Sequence, residues 1–120
     1  MKNTVVKGLL ISCLLGFGTN LYAVECAPAD SITSNTFCSS FKNATQCHCY
    51  NSGLRGSICT NMVQFYIRMI NTLGTLQRVC SLQHYISTKE CIDDWNCYRY
   101  GGLTSDGQLC GGNAQPCEPN

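Results

Sequence analysis

The sequence predicts an all-α fold: a small helical domain stapled by about five disulfides, with an irregular C-terminal loop region. Three observations carry that expectation. An apolar leader stands ahead of an even set of ten cysteines. Apolar residues recur at intervals of three and four across residues 58–80. A helix-start signal, "STKE", precedes the run "CIDDWNCYRY", which stops at a pair of glycines.

In the leader, "MKNTVVKG" carries Lys2 and Lys7 and no acid, "LLISCLLGFG" is apolar, and "TNLYA" ends on a small residue. This is the layout of a secretory signal peptide over residues 1–23, cleaved after Ala23. The apolar run is too short to span a bilayer, which takes ~20 residues. "LISC" has the letters of a lipobox, but apolar residues continue after Cys13 where a lipoprotein turns polar, so Cys13 reads as part of the leader. Residues 24–120 then form a single domain, secreted to the outside, through the periplasm if the source is bacterial.

Cleavage leaves ten of the eleven cysteines: Cys26, Cys38, Cys47, Cys49, Cys59, Cys80, Cys91, Cys97, Cys110 and Cys117. An even set at this density behind a leader reads as a disulfide framework. "CHCY" at 47–50 raises zinc as the alternative, since Cys47, His48 and Cys49 are all zinc-ligand types. A structural zinc site calls for a C-x2-C pair elsewhere, and the chain has none. No metal and no cofactor is expected. Read as an extended segment, the stretch points Cys47 and Cys49 to one side and His48 to the other. The two are poorly placed to bond each other, so each is expected to bond a different distant cysteine. A chain of this length buries one modest core, and each crosslink adds about 2–4 kcal/mol to it.

The elements follow in order. Residues 31–43, "SITSNTFCSSFKN", set Phe37, Cys38 and Phe41 at helical spacing, although Ser, Thr and Asn are poor helix formers. Residues 50–57, "YNSGLRGS", read as a loop with Ser57 as the next N-cap. Then Ile58, Met62, Phe65, Met69, Leu73, Leu76 and Cys80 form a stripe that Cys59, Val63, Tyr66 and Ile70 widen. Asn61, Gln64, Arg68, Asn71 and Thr75 face the other way. This is an amphipathic helix, bent or broken near Gly74, with its stripe turned to the core. Ser87 and Glu90 frame a capping box, and the helix they open runs to Gly101-Gly102 with Cys91, Trp95 and Tyr98 on one face. On such helices Cys59 and Cys80 would stand roughly 31 Å apart, and Cys91 and Cys97 about 9 Å. Each helical cysteine must therefore reach another segment.

With its leader, its ten cysteines and its C-x-C, the chain resembles, over its whole length, the small cysteine-rich proteins that Gram-negative intracellular bacteria export by the type II route after oxidation in the periplasm. That resemblance implies a virulence or effector role on a host, without a catalytic signature. A eukaryotic secreted defence or signalling protein is the alternative origin, and "NAT" at 43–45 is a glycosylation sequon. Saposin-like domains are similar only in being small, helical and disulfide-bonded; they use six cysteines.

Enzyme patterns are incomplete. His48 and His84 are the only histidines, with Lys42 and Lys89 near them in sequence. Two histidines and one lysine could perform acid–base phosphodiester chemistry as in pancreatic-type ribonucleases, whose motifs are absent. The His-Asp pair of phospholipases A2 is also absent, because His48 is followed by Cys49 and Tyr50. There is no Gly-x-Ser-x-Gly, and Asp93 and Asp94 occupy consecutive helical positions that face different ways. No catalytic residue is assigned. A small hydrolase using His48 and His84, or a hydrolase inhibitor presenting loop 50–57 or 101–109, is the alternative to a binding protein.

Charge points to the binding partner. The whole chain carries +1, but Lys2 and Lys7 leave with the leader, so eight bases become six against seven acids, a net charge near −1. Between Asp30 and Glu90 there is no acid, while Lys42, Arg55, Arg68, Arg78 and Lys89 lie at or within that stretch. A cationic helical body with an acidic end can orient on an anionic surface. Arg68 and Arg78, roughly 80° apart around one helix, are expected to bind phosphoinositide head groups with help from Lys42, Arg55 and Lys89, or to meet a host protein. His48 and His84 would strengthen that binding as pH falls through about 6.5. Nucleic acid is not expected, since so few bases release few counterions. The expected state is a monomer.

Overall fold

The computed structural model describes residues 25–118. The expected signal peptide over residues 1–23, and Cys13 with it, lie outside them. The described residues form helices joined by short turns, with no strand. The helices are α1 (Phe37–Asn51), α2 (Ser57–Thr60), α3 (Met62–Leu73), α4 (Leu76–Ser81) and α5 (Thr88–Tyr100), followed by a 3-10 turn at Cys110–Gly112. The all-α, disulfide-stapled architecture expected from the sequence is the one observed.

Its first helix is shifted from the expected residues 31–43. The segment "SITSNT" spends its hydroxyls on nearby groups instead. The Thr33 amide donates to Ser31 Oγ (3.4 Å), the Thr36 amide to Ser34 Oγ (3.1 Å), and Thr36 Oγ1 to Asp30 (2.6 Å). Such local bonds compete with helix formation, so α1 starts only at Phe37. It then runs on to Asn51, beyond the expected start of a loop, because Phe37, Phe41, Ala44, Thr45 and Cys49 continue one buried face.

This extension places "CHCY" in a helix and corrects its expected extended geometry. At ~100° per residue Cys47 and Cys49 diverge, so they cannot share a side. Cys47 bonds Cys26 of the amino-terminal segment, and the fully buried Cys49 bonds Cys59 of α2. The double staple is present.

The long amphipathic helix is three helices. Asn61, in extended backbone (φ −101°, ψ 104°), ends α2, and its Oδ1 caps α3 by accepting from the Gln64 amide at 3.0 Å. Gly74 (φ 101°) ends α3, and Thr75 Oγ1 caps α4 by accepting from the Arg78 amide at 3.1 Å. The break near Gly74 was expected and the one at Asn61 was not. Ser57 is the first residue of α2 and makes no cap bond; Gly56 (φ 70°) precedes it. Cys59 and Cys80 therefore do not lie on one rod, although they are not partners.

The last helix matches its expected bounds. Ser87 Oγ accepts from the Glu90 amide (3.1 Å), as in a capping box, but Glu90 receives the Ser87 hydroxyl instead of reaching the Ser87 amide. Cys91, Trp95 and Tyr98 are all buried. They meet Phe37 and Phe41 of α1 and Met62 of α3 in the core. Phe41 meets Trp95 edge-on at 5.0 Å and lies 5.4 Å from Tyr98; such pairs add about 0.5–1.5 kcal/mol beyond area burial.

Five disulfides close this core: Cys26–Cys47, Cys38–Cys117, Cys49–Cys59, Cys80–Cys91 and Cys97–Cys110, with Cα separations of 5.3–5.7 Å. The C-terminal loop region is pinned across α5 by the Cys117 amide on the Tyr98 carbonyl (3.0 Å) and by the Tyr98 hydroxyl on Glu118. Freed of residues 1–23, the oxidised chain is expected to weigh ten hydrogens less than its reduced form and to leave no thiol for alkylation. Two or more reactive thiols by mass spectrometry would contradict this pairing.

Candidate functional site

The expected cationic residues are spread over five places. Lys42 is half-buried on α1. Arg55, in the turn before α2, donates from Nη1 to the carbonyls of Tyr50 (3.4 Å) and Leu54 (3.1 Å). Arg68 and Arg78 are exposed on α3 and α4, on either side of the Gly74 break. Neither side chain has an ion pair or hydrogen bond among the described residues. Lys89 is different: its amine sits 3.2 Å from Asp93 and 2.9 Å from Asp106. Those hydrogen bonds raise its pKa, and they tie it to the acids.

Around Arg68, α3 leaves apolar surface uncovered. Met62 is its one fully buried residue, with Phe65, Tyr66 and Met69 partly packed against the core. Val63, Ile67 and Ile70, spaced four and three apart, form a second face, and Ile67 is 42 % exposed. Their spacing had pointed Val63 and Ile70 into the core stripe. A cation outside the expected set, Arg99 of α5, stacks its guanidinium over Tyr66 (4.6 Å to the ring centre) and Tyr100 (5.3 Å). Nothing in its sequence spacing signals that contact.

A groove of about 640 Å³ opens between α1, α5, the amino-terminal segment 26–32 and the C-terminal loop. His48 of α1 and Tyr85 of the α4–α5 connection stack in its wall, 3.6 Å apart and 10° from parallel. Both also line a second cavity of about 110 Å³ with Trp95. Burial lowers the His48 pKa, which leaves the ring mostly neutral at pH 7. Tyr85 is 57 % exposed overall, but burial around its hydroxyl and then the charge of Asp94 push its pKa up.

The acids of α5 divide sharply. Burial opposes ionisation of Asp93, but hydrogen bonds from the Ser105 hydroxyl (2.9 Å) and amide (3.2 Å) and from Lys89 outweigh it and hold the carboxyl below its ordinary value. Asp94, next in sequence, makes no hydrogen bond or ion pair among the described residues. Burial, then the charges of Glu90 and Asp93, push it up to about 7. Their expected divergence on the helix is what separates them.

No family model, curated protein or solved structure matches the chain. The site has to be read from its own geometry. His84 is exposed and lines neither cavity, so the groove does not bring the two histidines together. Cys47 and Cys49 are oxidised and offer no thiolate to a metal beside His48. Of the two candidate inhibitory loops, 50–57 gives Tyr50 and Asn51 to α1 and Ser57 to α2, leaving 52–56 as the connecting turn, and 101–109 exposes Leu103 and Leu109. Five disulfides in so small a domain are those of an oxidising compartment, and no helix among the described residues is long and apolar enough to cross a membrane.

Proposed function

We propose that the chain is a secreted, non-enzymatic binding protein with an effector role on a host or environmental target. It engages anionic membrane lipids, phosphoinositides in particular, through the outer face of α3 and Arg78 of α4. One observation carries this reading: exposed Ile67, flanked on its face by Val63 and Ile70, stands beside Arg68, which has no counter-ion among the described residues. A helix with an apolar face beside an unpaired cation suits the boundary between head groups and acyl chains.

Magnitudes set the kind of binding. Ile67 has 42 % of its surface left to bury, which contributes about 1 kcal/mol, and each arginine near an anionic surface contributes about 1 kcal/mol. The sum supports a reversible, peripheral contact that depends on clustered phosphate. Lys89 adds little, because Asp93 and Asp106 already hold it. Of the two histidines expected to strengthen binding at low pH, His84 is exposed while His48 faces the groove.

Liposome co-sedimentation tests the reading, with neutral vesicles and vesicles carrying phosphoinositides at pH 7.5 and 5.5. Arg68→Ala/Arg78→Ala is expected to weaken binding to the anionic vesicles roughly thirtyfold, from the loss of about 2 kcal/mol, and Ile67→Ser to weaken it further. Equal binding to neutral vesicles, or no effect of the two arginines, would sink the proposal. The hydrolase alternative has less support, since its two histidines do not converge.

A further inference from the structure

We propose that the groove between α1 and α5 binds a small organic cation, with the ammonium group received between the His48–Tyr85 stack and the carboxylates of Glu90 and Asp94. This site is separate from the outer face of α3 and does not depend on the membrane reading.

Size comes first. About 640 Å³ falls in the range of small-molecule sites, roughly 300–1,000 Å³. Charge then selects the ligand. Asp30, Glu90, Asp93, Asp94 and Asp106 line the groove, and Lys89 is the one lysine or arginine lining it among the described residues. A phosphate head group would meet mostly carboxylates there. The groove also already holds one ammonium: Lys89 Nζ sits between Asp93 and Asp106 at 3.2 and 2.9 Å. Asp94 has no such partner among the described residues, although it lines the same groove. Its neighbouring wall is aromatic. Tyr85 is held flat against His48 and keeps 57 % of its surface open, and ring faces attract ammonium groups.

The pH response has a definite sign. The groups around Asp94 are Glu90, Asp93 and Lys89 on α5, Tyr85 on the connection, and across the groove His48, Asp30 and Asp106. With its pKa at about 7, Asp94 loses its charge as pH falls below neutrality. His48, with a lowered pKa, gains a positive charge only at still lower pH. Both changes oppose a cation, so affinity should fall several-fold from pH 8 to pH 5.5.

Trp95 is the only tryptophan of the chain and lines the groove, so its fluorescence reports occupancy. The mature, oxidised protein is titrated at low salt with choline, with spermidine, with 3,3-dimethylbutan-1-ol as the uncharged isostere of choline, and with inorganic phosphate. A saturable change with choline or spermidine, at least tenfold tighter than with the alcohol, supports the site. Tyr85→Ala and Asp94→Asn should each weaken it at least fivefold, and Asp94→Asn should also flatten the pH dependence. Tyr85 lies outside the core, and near-UV circular dichroism checks that both variants remain folded. No saturable change with either amine, equal affinity for the alcohol, tighter binding of phosphate, or undiminished affinity in both folded variants would overturn the proposal.

Discussion

Removing the bridge between Cys38 and Cys117, as Cys38→Ser/Cys117→Ser, is expected to cost about 4 kcal/mol and roughly 15–30 °C in Tm. The two cysteines are 79 residues apart in sequence, against 21 for Cys26–Cys47. A longer loop takes more entropy from the unfolded chain. Three shorter bridges nest inside this loop and remove about thirty residues from its effective length, but the dependence is logarithmic, so they lower the effect by only a few tenths of a kcal/mol. Cys26→Ser/Cys47→Ser is the fair comparison, because all four cysteines are partly exposed and no hydroxyl becomes deeply buried. That pair should cost about 3 kcal/mol. Urea unfolding of the two variants measures the order. If the Cys38/Cys117 variant is the more stable, loop closure is not how this bridge acts.

The ten cysteines, the capping box at Ser87 and the glycine stop at Gly101 made the helical, stapled character legible, because each is a local signal with a local cause. Helix α1 was harder to place. Its start is decided by hydroxyl bonds from Ser31, Ser34 and Thr36 that compete with helix formation, and its end by a buried face running on through Thr45 and Cys49. The break at Asn61 was missed because the apolar periodicity continues across it, and a polar residue on the outer face also happened to be an N-cap. Which cysteines pair could not be read from spacing, since pairing depends on where separate segments meet.

The site was less legible than the fold. Arg68 and Arg78 stand exposed as their polar positions implied, but only the structure shows Lys89 clamped by Asp93 and Asp106. Asp94 could be separated from Asp93 by helical geometry, yet its lack of a partner depends on the C-terminal loop choosing Asp93 through Ser105. The His48–Tyr85 stack joins residues 37 positions apart, and no periodicity relates them.

Gly101→Ala is expected to destabilise the fold by about 3–5 kcal/mol. Gly101 ends α5 with φ 70° and ψ −150°, a backbone state used almost only by glycine, and forcing another residue into it costs about 1–3 kcal/mol. Space adds to the penalty. A Cβ at this position would lie 2.5 Å from the Ala114 carbonyl oxygen, 2.6 Å from the Pro116 nitrogen and 2.7 Å from the Gln115 carbonyl carbon. All three are backbone atoms, so no side-chain rotation relieves the clash and the C-terminal segment must move. That movement threatens the hydrogen bonds from the Gly102 amide to Ala114 (2.7 Å) and from the Cys117 amide to Tyr98 (3.0 Å), each worth about 1 kcal/mol. Gly53→Ala isolates the steric part, because Gly53 also has positive φ (98°) but nothing within 4 Å of its added carbon. It should cost only about 1–2 kcal/mol. Amide hydrogen exchange provides the local readout: in Gly101→Ala the Gly102 and Cys117 amides should lose protection more than the amides of α1. If Gly101→Ala is no more costly than Gly53→Ala, or if those two amides stay protected, the close approach of residues 114–116 to the end of α5 does not govern this turn.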